Sequence, residues 1–388
     1  MLLNIEDFRR QARKNLPRFV FDYVEGAAED ERCRDRNGAN LQALQLVPTC
    51  LRDTSTIDTS LTVFGQRWNA PLGVAPVGFC GLVHPQGDKF LARAAASRGL
   101  PFVLSTASNT RLEAVREAAP KGLQWMQLYV MSDRAIAEQL IRRAREANYG
   151  ALVLTVDVPV SGYRERDVRN GFKLPFRPTL RTLANLACHP AWLLRVARYG
   201  MPSFVNLAES QEAAASAQVQ AALLARAMDR RLVWESLAWI RSLWDGPLLI
   251  KGLLHADDAA RALNHGVDGL IVSNHGGRQL DAAVATIDAL PAIADKVGAR
   301  VPVFVDSGFR RGSDIAKALA LGASAVFVGR PAVYGMACGG EAGARAVLQL
   351  LSDELERTMT LLGAATLSDI APHHLFAGST PSFAWSPT

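Results

Sequence analysis

Residues 268–281 read DGLIVSNHGGRQLD. Gly269 to Val272 make a short, continuous apolar run, which is how a strand buried on both faces of a parallel sheet reads. It breaks off into a histidine, two glycines, an arginine and an aspartate. A fold that ends its buried strands on titratable and flexible residues is therefore indicated.

Seven further runs share the pattern: PLGVA from 71, PFVLS from 101, LQWMQLYV from 123, ALVLTVD from 151, PLLIKG from 247, VPVFVD from 301 and SAVFVG from 324. Most are followed by a helix-like stretch closed by glycine, such as GDKFLARAAASRG and GSDIAKALALG. Eight β/α units predict an α/β fold, a (β/α)8 TIM barrel with an N-terminal helical segment and a long insertion after the fourth strand. The strands end on PVG (76–78), STAS (105–108), QLY (127–129), TVD (155–157), Lys251, SNHGGR (273–278), DSGFRR (306–311) and GRP (329–331). Any one polar loop says little, but eight in one register predict a shared site at the C-terminal ends of the strands.

The chain of 388 residues, 49% apolar and 21% charged, is long enough for one such barrel, and residues 1–388 are expected to form one domain. The net charge of +6 suits anionic ligands or a membrane surface. There is no zinc-finger spacing and no RNP-like aromatic motif, so nucleic acid is not expected. Five scattered cysteines without a C-x-x-C pair suit a reducing compartment, and no metal site is expected. The N-terminus meets charge within a few residues and no run reaches membrane-span length, so neither export nor an integral span is expected. The stretch before the first strand reads as one or two amphipathic helices on the outside or base of the barrel, and the tail AGSTPSFAWSPT as irregular.

After the seventh strand, DSGFRRGSDIAKAL supplies glycines, two arginines and a helix start, and the eighth adds GRP. In barrels this loop pair commonly holds phosphate on backbone N–H groups and a helix N-terminus. Arg310 or Arg330 would clamp phosphate oxygens; surface arginines capping a helix are the bland alternative.

SNHGGRQLD together with DSGFRRGSD, GRP, WMQLYV, LSTAS and TVDVPVSGYRERD resembles the FMN-dependent (S)-2-hydroxy acid dehydrogenase and oxidase family over about residues 4–365. The resemblance implies a barrel holding FMN that oxidises a 2-hydroxy acid to the 2-keto acid. It implies that His275 is the active-site base, Asp157 its carboxylate partner, Arg278 and Arg164 the substrate-carboxylate arginines, and Tyr23 and Tyr129 the substrate-contacting tyrosines. The glycines beside His275 would let backbone and flavin approach. Cofactor contacts are implied at Pro76, Val77, Gly78, Ser105, Gln127, Thr155, Lys251 and Ser273, with Asp306, Gly308, Arg310, Gly329 and Arg330 at the phosphate end. Departures from the family pattern are Val77 for a threonine, Gly78 where oxidases carry alanine, and Ser307 for a glycine. The missing methyl would leave room for a bulkier substrate, and in this family glycine at the place of Gly78 goes with dehydrogenases that react poorly with oxygen.

About ninety residues separate the fourth strand from the fifth, so residues 168–215 are expected to be an insertion. From Val168 to Ala208 there is no acidic residue, and Arg169, Lys173, Arg177, Arg181, Arg195 and Arg198 flank the apolar TLANLACHPAWLL. That composition suits an interfacial anchor and equally a lid with snorkelling arginines. HPAWLLRVARYGMP resembles the membrane-bound members of the family. The expectation is thus (S)-mandelate oxidation to benzoylformate on the cytoplasmic face of the inner membrane, peripherally bound. Electrons would go to a membrane quinone without a haem domain, and the assembly would be a homotetramer. Quinone-linked L-lactate oxidation and an oxygen-reducing oxidase are the alternatives. A phosphate-binding barrel isomerase would leave His275, Arg278 and Arg164 without a carboxylate to bind, and a membrane scaffold would leave the whole set unused.

Overall fold

The computed structural model describes residues 1–170, 180–207, 228–376 and 378. Three helices, α1 (Ile5–Asn15), α2 (Arg18–Glu25) and α3 (Arg32–Ala43), precede a two-stranded hairpin, β1 (Leu61–Val63) and β2 (Gln66–Trp68). Then come β3 (Leu72–Val74), β4 (Phe102–Leu104), β5 (Gln124–Leu128), β6 (Leu152–Thr155), β7 (Leu248–Leu253), β8 (Gly269–Val272), β9 (Val303–Val305) and β10 (Ala325–Val328). These eight close into a parallel barrel in sequence order, β10 pairing with both β9 and β3.

Side chains alternate across each strand. Outward residues such as Val74, Phe102, Leu104, Leu152, Leu154, Val272 and Val305 join the shell packed by the surrounding helices. Inward residues Val103, Trp125, Val153, Leu249, Ile271, Phe304 and Phe327 form a separate buried cluster inside the barrel. The hairpin seals the bottom: Trp68, fully buried, lies 5.4 Å from the Trp125 ring and 5.8 Å from the Phe304 ring. Its turn is Phe64 and Gly65, both at positive φ, as a tight hairpin turn requires.

The N-terminal segment departs from the expected position. α1 packs on the helix Arg330–Leu362 outside the barrel, but α2 and α3 lie across the C-terminal mouth. Ala28 N–H donates to Gly277 O at 2.9 Å and Cys33 N–H to Asp281 Oδ1 at 2.9 Å. Asn37 and Asn274 exchange amide hydrogen bonds of 2.9 and 2.7 Å. The amphipathic pattern correctly indicates helices; it does not say which end of the barrel they cover.

Within the 168–215 insertion, helices span Leu180–Ala187 and Pro190–Tyr199, while 171–179, including Lys173 and Arg177, and 208–215 lie outside the described residues. So does the tail from 377, apart from 378. Trp192 ties the second of these helices to the body, its ring edge-on to Phe19 at 5.6 Å and its N–H donating to Leu82 O at 2.8 Å. Among the described residues no helix is long and apolar enough to cross a membrane.

Candidate active site

One step up each strand from the apolar inner layer stands the next inward position: Ala75, Ser105, Gln127, Thr155, Lys251, Ser273, Asp306 and Gly329. The period of two alone thus collects seven of the predicted cofactor residues into one ring. Ser105 Oγ donates to Gln127 Oε1 at 3.2 Å. Lys251 Nζ donates to Ser273 Oγ at 2.7 Å and pairs with Asp306 Oδ2 at 3.0 Å. Above the ring opens a cavity of about 920 Å³. All predicted site residues line it except Asp157, Gln127 and Ser273, which stand behind His275, Ser105 and Lys251 and hydrogen-bond to them.

His275 anchors the chemical end. Its Nδ1 lies 3.0 Å from Asp157 Oδ1 and its Nε2 3.3 Å from the Tyr129 hydroxyl. The residue has φ +59, a conformation that costs a side-chain-bearing residue on the order of 1–3 kcal/mol, and its N–H is held by Ser273 Oγ at 3.0 Å. Burial pushes the Asp157 carboxyl up, but attraction and hydrogen bonding to His275, with Lys251 nearby, outweigh it and hold the group below its ordinary value. Burial raises the Tyr129 phenol, with the Asp157 charge adding to the effect, so Tyr129 is neutral at pH 7.

The glycines after His275 also leave room for the protein itself to close on the loop. Gly277, φ +75, would place a Cβ 2.5 Å from Arg34 N, and Gly276, φ +68, one at 2.8 Å from Arg330 Nη1. They let the N-terminal segment and Arg330 close on the loop.

Arg278 Nη1 donates to Tyr23 O and Gly26 O, both at 2.8 Å, and the guanidinium lies 5.1 Å from the centre of the Tyr23 ring. Burial together with Arg164 lowers its pKa to about 10, which leaves it charged at neutral pH. Arg164, at the start of the helix Glu165–Arg169, donates to Ser161 Oγ at 3.2 Å and faces Asp167 Oδ2 at 3.7 Å. Asp167 lines the cavity, and burial raises its pKa despite both arginines. It went unnoticed in the sequence although it stands three residues after Arg164 in GYRERD, a spacing that puts both on one helix face.

At the opposite end Ser307 and Gly308 have φ +79 and +98. Ser307, unusual for a non-glycine there, uses its hydroxyl to accept from Gly276 N–H at 2.9 Å and donate to Asp306 Oδ1 at 2.8 Å. Gly329 begins the helix Arg330–Leu362, whose N-terminal N–H groups suit an anion. Arg330 lines the cavity but is a brace before it is a clamp: Nε donates to Val24 O, Nη1 to Gly276 O and Nη2 to Gly26 O, at 2.9–3.0 Å. Arg310 Nη1 donates to Phe309 O at 2.8 Å.

Apolar wall residues were the least legible. Phe79 does not line the cavity; it backs it, 5.9 Å from the Tyr23 ring and 4.8 Å from Phe204. Val158, Val168, Phe204 and Met228, all from the long stretch between the fourth and fifth barrel strands, line it instead.

Two buried atoms test the fit of a flavin. Gln127 Nε2 and Thr155 Oγ1 have no hydrogen-bond partner among the described residues, and each unmet buried group costs about 1–3 kcal/mol. A ring edge offering carbonyl and ring-nitrogen positions would satisfy both beside the Lys251 cation, while the Gly308 and Gly329 backbone would take a phosphate.

A parallel barrel with a His–Asp pair, two arginines and an anion-ready helix start at its mouth has the makings of a phosphate-cofactor oxidoreductase acting on a carboxylate. The chain belongs to the FMN-dependent dehydrogenase family, whose model matches residues 12–377, and its cofactor is FMN. It is 45% identical to (S)-mandelate dehydrogenase of Pseudomonas putida over 374 residues, 96% of this chain and 94% of that protein. It is 43% identical to L-lactate dehydrogenase of Caulobacter vibrioides over 365 residues, 94% of this chain and 95% of that one. The crystal structure of the monotopic membrane protein (S)-mandelate dehydrogenase superposes with a TM-score of 0.92 at 45% identity, covering 97% of this chain and 99% of that one. The protein is thus an FMN-dependent enzyme oxidising an (S)-2-hydroxy acid.

Proposed function

We propose that the substrate is (S)-mandelate, oxidised to benzoylformate, and that the electrons pass to a membrane quinone. The observation that carries this reading is the apolar flank of Phe204, Met228, Val158 and Val168 in the same cavity as Arg164 and Arg278. A carboxylate clamp next to an apolar wall suits an aryl group on the hydroxyl-bearing carbon better than the methyl of lactate. The name of the Pseudomonas putida relative points the same way.

In this reading Arg278 and Arg164 grip the substrate carboxylate, their forks matching its two oxygens. Tyr23 holds Arg278 from below and Tyr129 directs its hydroxyl at the substrate. His275 Nε2 takes the proton, and Asp157 orients the ring and stabilises the imidazolium that forms. FMN, when bound, supplies the two-electron acceptor. It would be held by Pro76, Val77, Gly78, Ser105, Gln127, Thr155, Lys251 and Ser273, with Asp306, Gly308, Arg310, Gly329 and Arg330 around the phosphate. The Lys251 cation would offset negative charge developing on the ring.

Leu183, Leu193, Leu194, Tyr199 and Met201 are exposed on the insertion, beside Arg195 and Arg198. We read residues 168–215 as a peripheral membrane element on a single 1–388 domain. The protein would sit on the cytoplasmic face of the inner membrane as a homotetramer. The kcat/KM ratio for (S)-mandelate over L-lactate, with a quinone as acceptor, tests the substrate. A ratio well above one is expected, falling in Phe204→Leu; a ratio below one assigns the enzyme to lactate.

A further inference from the structure

A second cavity, of about 620 Å³, shares no lining residue with the first. Arg9, Arg13, Arg18, Arg166 and Arg169 line it, and Asp22 is the one acidic residue among its lining. Asp22 is already covered: Asn170 Nδ2 donates to its Oδ2 at 2.8 Å, and Arg18 and Arg166 lie 3.4 and 3.7 Å from its oxygens. The other carboxylates in contact with these arginines, Glu6, Glu25, Glu31 and Glu165, do not line the cavity. With Asp22 they pair with Arg9, Arg18, Arg166 and Arg169 while leaving the guanidinium groups in the cavity wall. Arg13, also lining, has no ion-pair or hydrogen-bond partner among the described residues. An entering anion therefore meets guanidinium groups first.

The cavity also has a position. Asn185 and His189 complete its wall from the insertion, Asn185 Oδ1 accepting from Arg18 N–H at 2.7 Å. The same two-helix segment exposes Leu183, Leu193 and Leu194. An arginine-lined cavity walled by a segment that also exposes leucines offers what a membrane interface takes, positive charge for the phosphates and apolar surface for the acyl chains.

We propose that this cavity is a phosphate-binding site, and that the phosphate it takes is the headgroup of an anionic phospholipid. The proposal rests on the membrane reading above for its source of phosphate, not for its chemistry. Guanidinium forks bind phosphate oxygens bidentately, which a diffuse positive surface does not.

The test uses the FMN-loaded full chain. Co-sedimentation is measured with vesicles of phosphatidylcholine alone and of phosphatidylcholine with phosphatidylglycerol. Three proteins are compared: wild type, R13Q/R18Q/R169Q, and R142Q/R145Q/R357Q, which removes equal charge from exposed positions elsewhere. In parallel, the Tm of each is followed in inorganic phosphate against sodium chloride at matched ionic strength. The expected result is tighter wild-type binding to the anionic vesicles, lost on the order of a hundredfold in the cavity triple and retained in the control. Soluble turnover should be the same in all three. Equal losses in the two triples would overturn the site while leaving the membrane reading in place. Failure of the wild type to bind either vesicle would remove the membrane reading. A phosphate-specific rise in Tm absent from the cavity triple would then assign the site to a soluble phosphate compound, and no such rise would overturn it.

Discussion

Replacing Asp157 by asparagine keeps the shape of the side chain and removes one charge. The Nδ1–Oδ1 separation of 3.0 Å puts the carboxylate and imidazolium charge centres about 4 Å apart, an interaction of about 4 kcal/mol at an effective dielectric near 20. The asparagine carbonyl can still accept from Nδ1–H, which returns about 1 kcal/mol. The net loss of ~3 kcal/mol applies when His275 carries the proton and hardly at all in the ground state. It should therefore slow the proton-linked step on the order of a hundredfold while substrate affinity changes little. The assay is the anaerobic rate of flavin bleaching at saturating substrate, with FMN content measured from the absorbance of the same sample. A rate within about threefold of wild type at full FMN occupancy would refute the charge argument.

Three further outcomes are expected. Arg278→Lys loses the planar fork as well as two bonds to the Tyr23 and Gly26 carbonyls, so KM should rise roughly 10- to 100-fold and Tm should fall; an unchanged KM would take Arg278 out of the carboxylate clamp. Gly78→Ala places a methyl 3.0 Å from the Ala107 Cβ, tight enough to shift one of them into the cavity, so kcat/KM for (S)-mandelate should drop more than that for L-lactate. Equal effects would remove Gly78 from the substrate wall. The third concerns acid. Because the folded Asp157 carboxyl lies below its ordinary 3.8, the unfolded chain takes up the proton first. The stabilisation from this pair is complete above that value and is lost as pH falls through the folded one. The Tm gap between wild type and Asp157→Asn should thus narrow between about pH 5 and pH 3, and a gap that widens would contradict the depressed pKa.

The barrel was legible because each of its strands is a short apolar run with glycine or a polar cluster at the same end, and all eight expected runs lie on the eight strands. The ring from Ser105 to Gly329 was legible in a deeper sense: alternation places those residues inward once one inner residue, such as Trp125, is assigned. The hairpin at Leu61–Trp68 was not read, since three-residue strands carry too little pattern. Tyr23 could be placed only by resemblance. Its position depends on α2 crossing the mouth, which is decided by long-range contacts such as Ala28 to Gly277 and leaves no local periodicity. Phe204 and Met228 could not be singled out for the same reason: they line the cavity through contacts distant in sequence.

The central claim, an FMN enzyme built to oxidise an aryl 2-hydroxy acid and to pass its electrons on to an acceptor other than oxygen, is tested most directly by one experiment. Anaerobic FMN-loaded enzyme is mixed with (S)-mandelate or L-lactate, bleaching is followed, and air is then admitted. Fast bleaching by (S)-mandelate, slower bleaching by L-lactate and slow recovery in air are predicted. Faster bleaching by lactate, or recovery in air as rapid as the bleaching itself, would contradict the account.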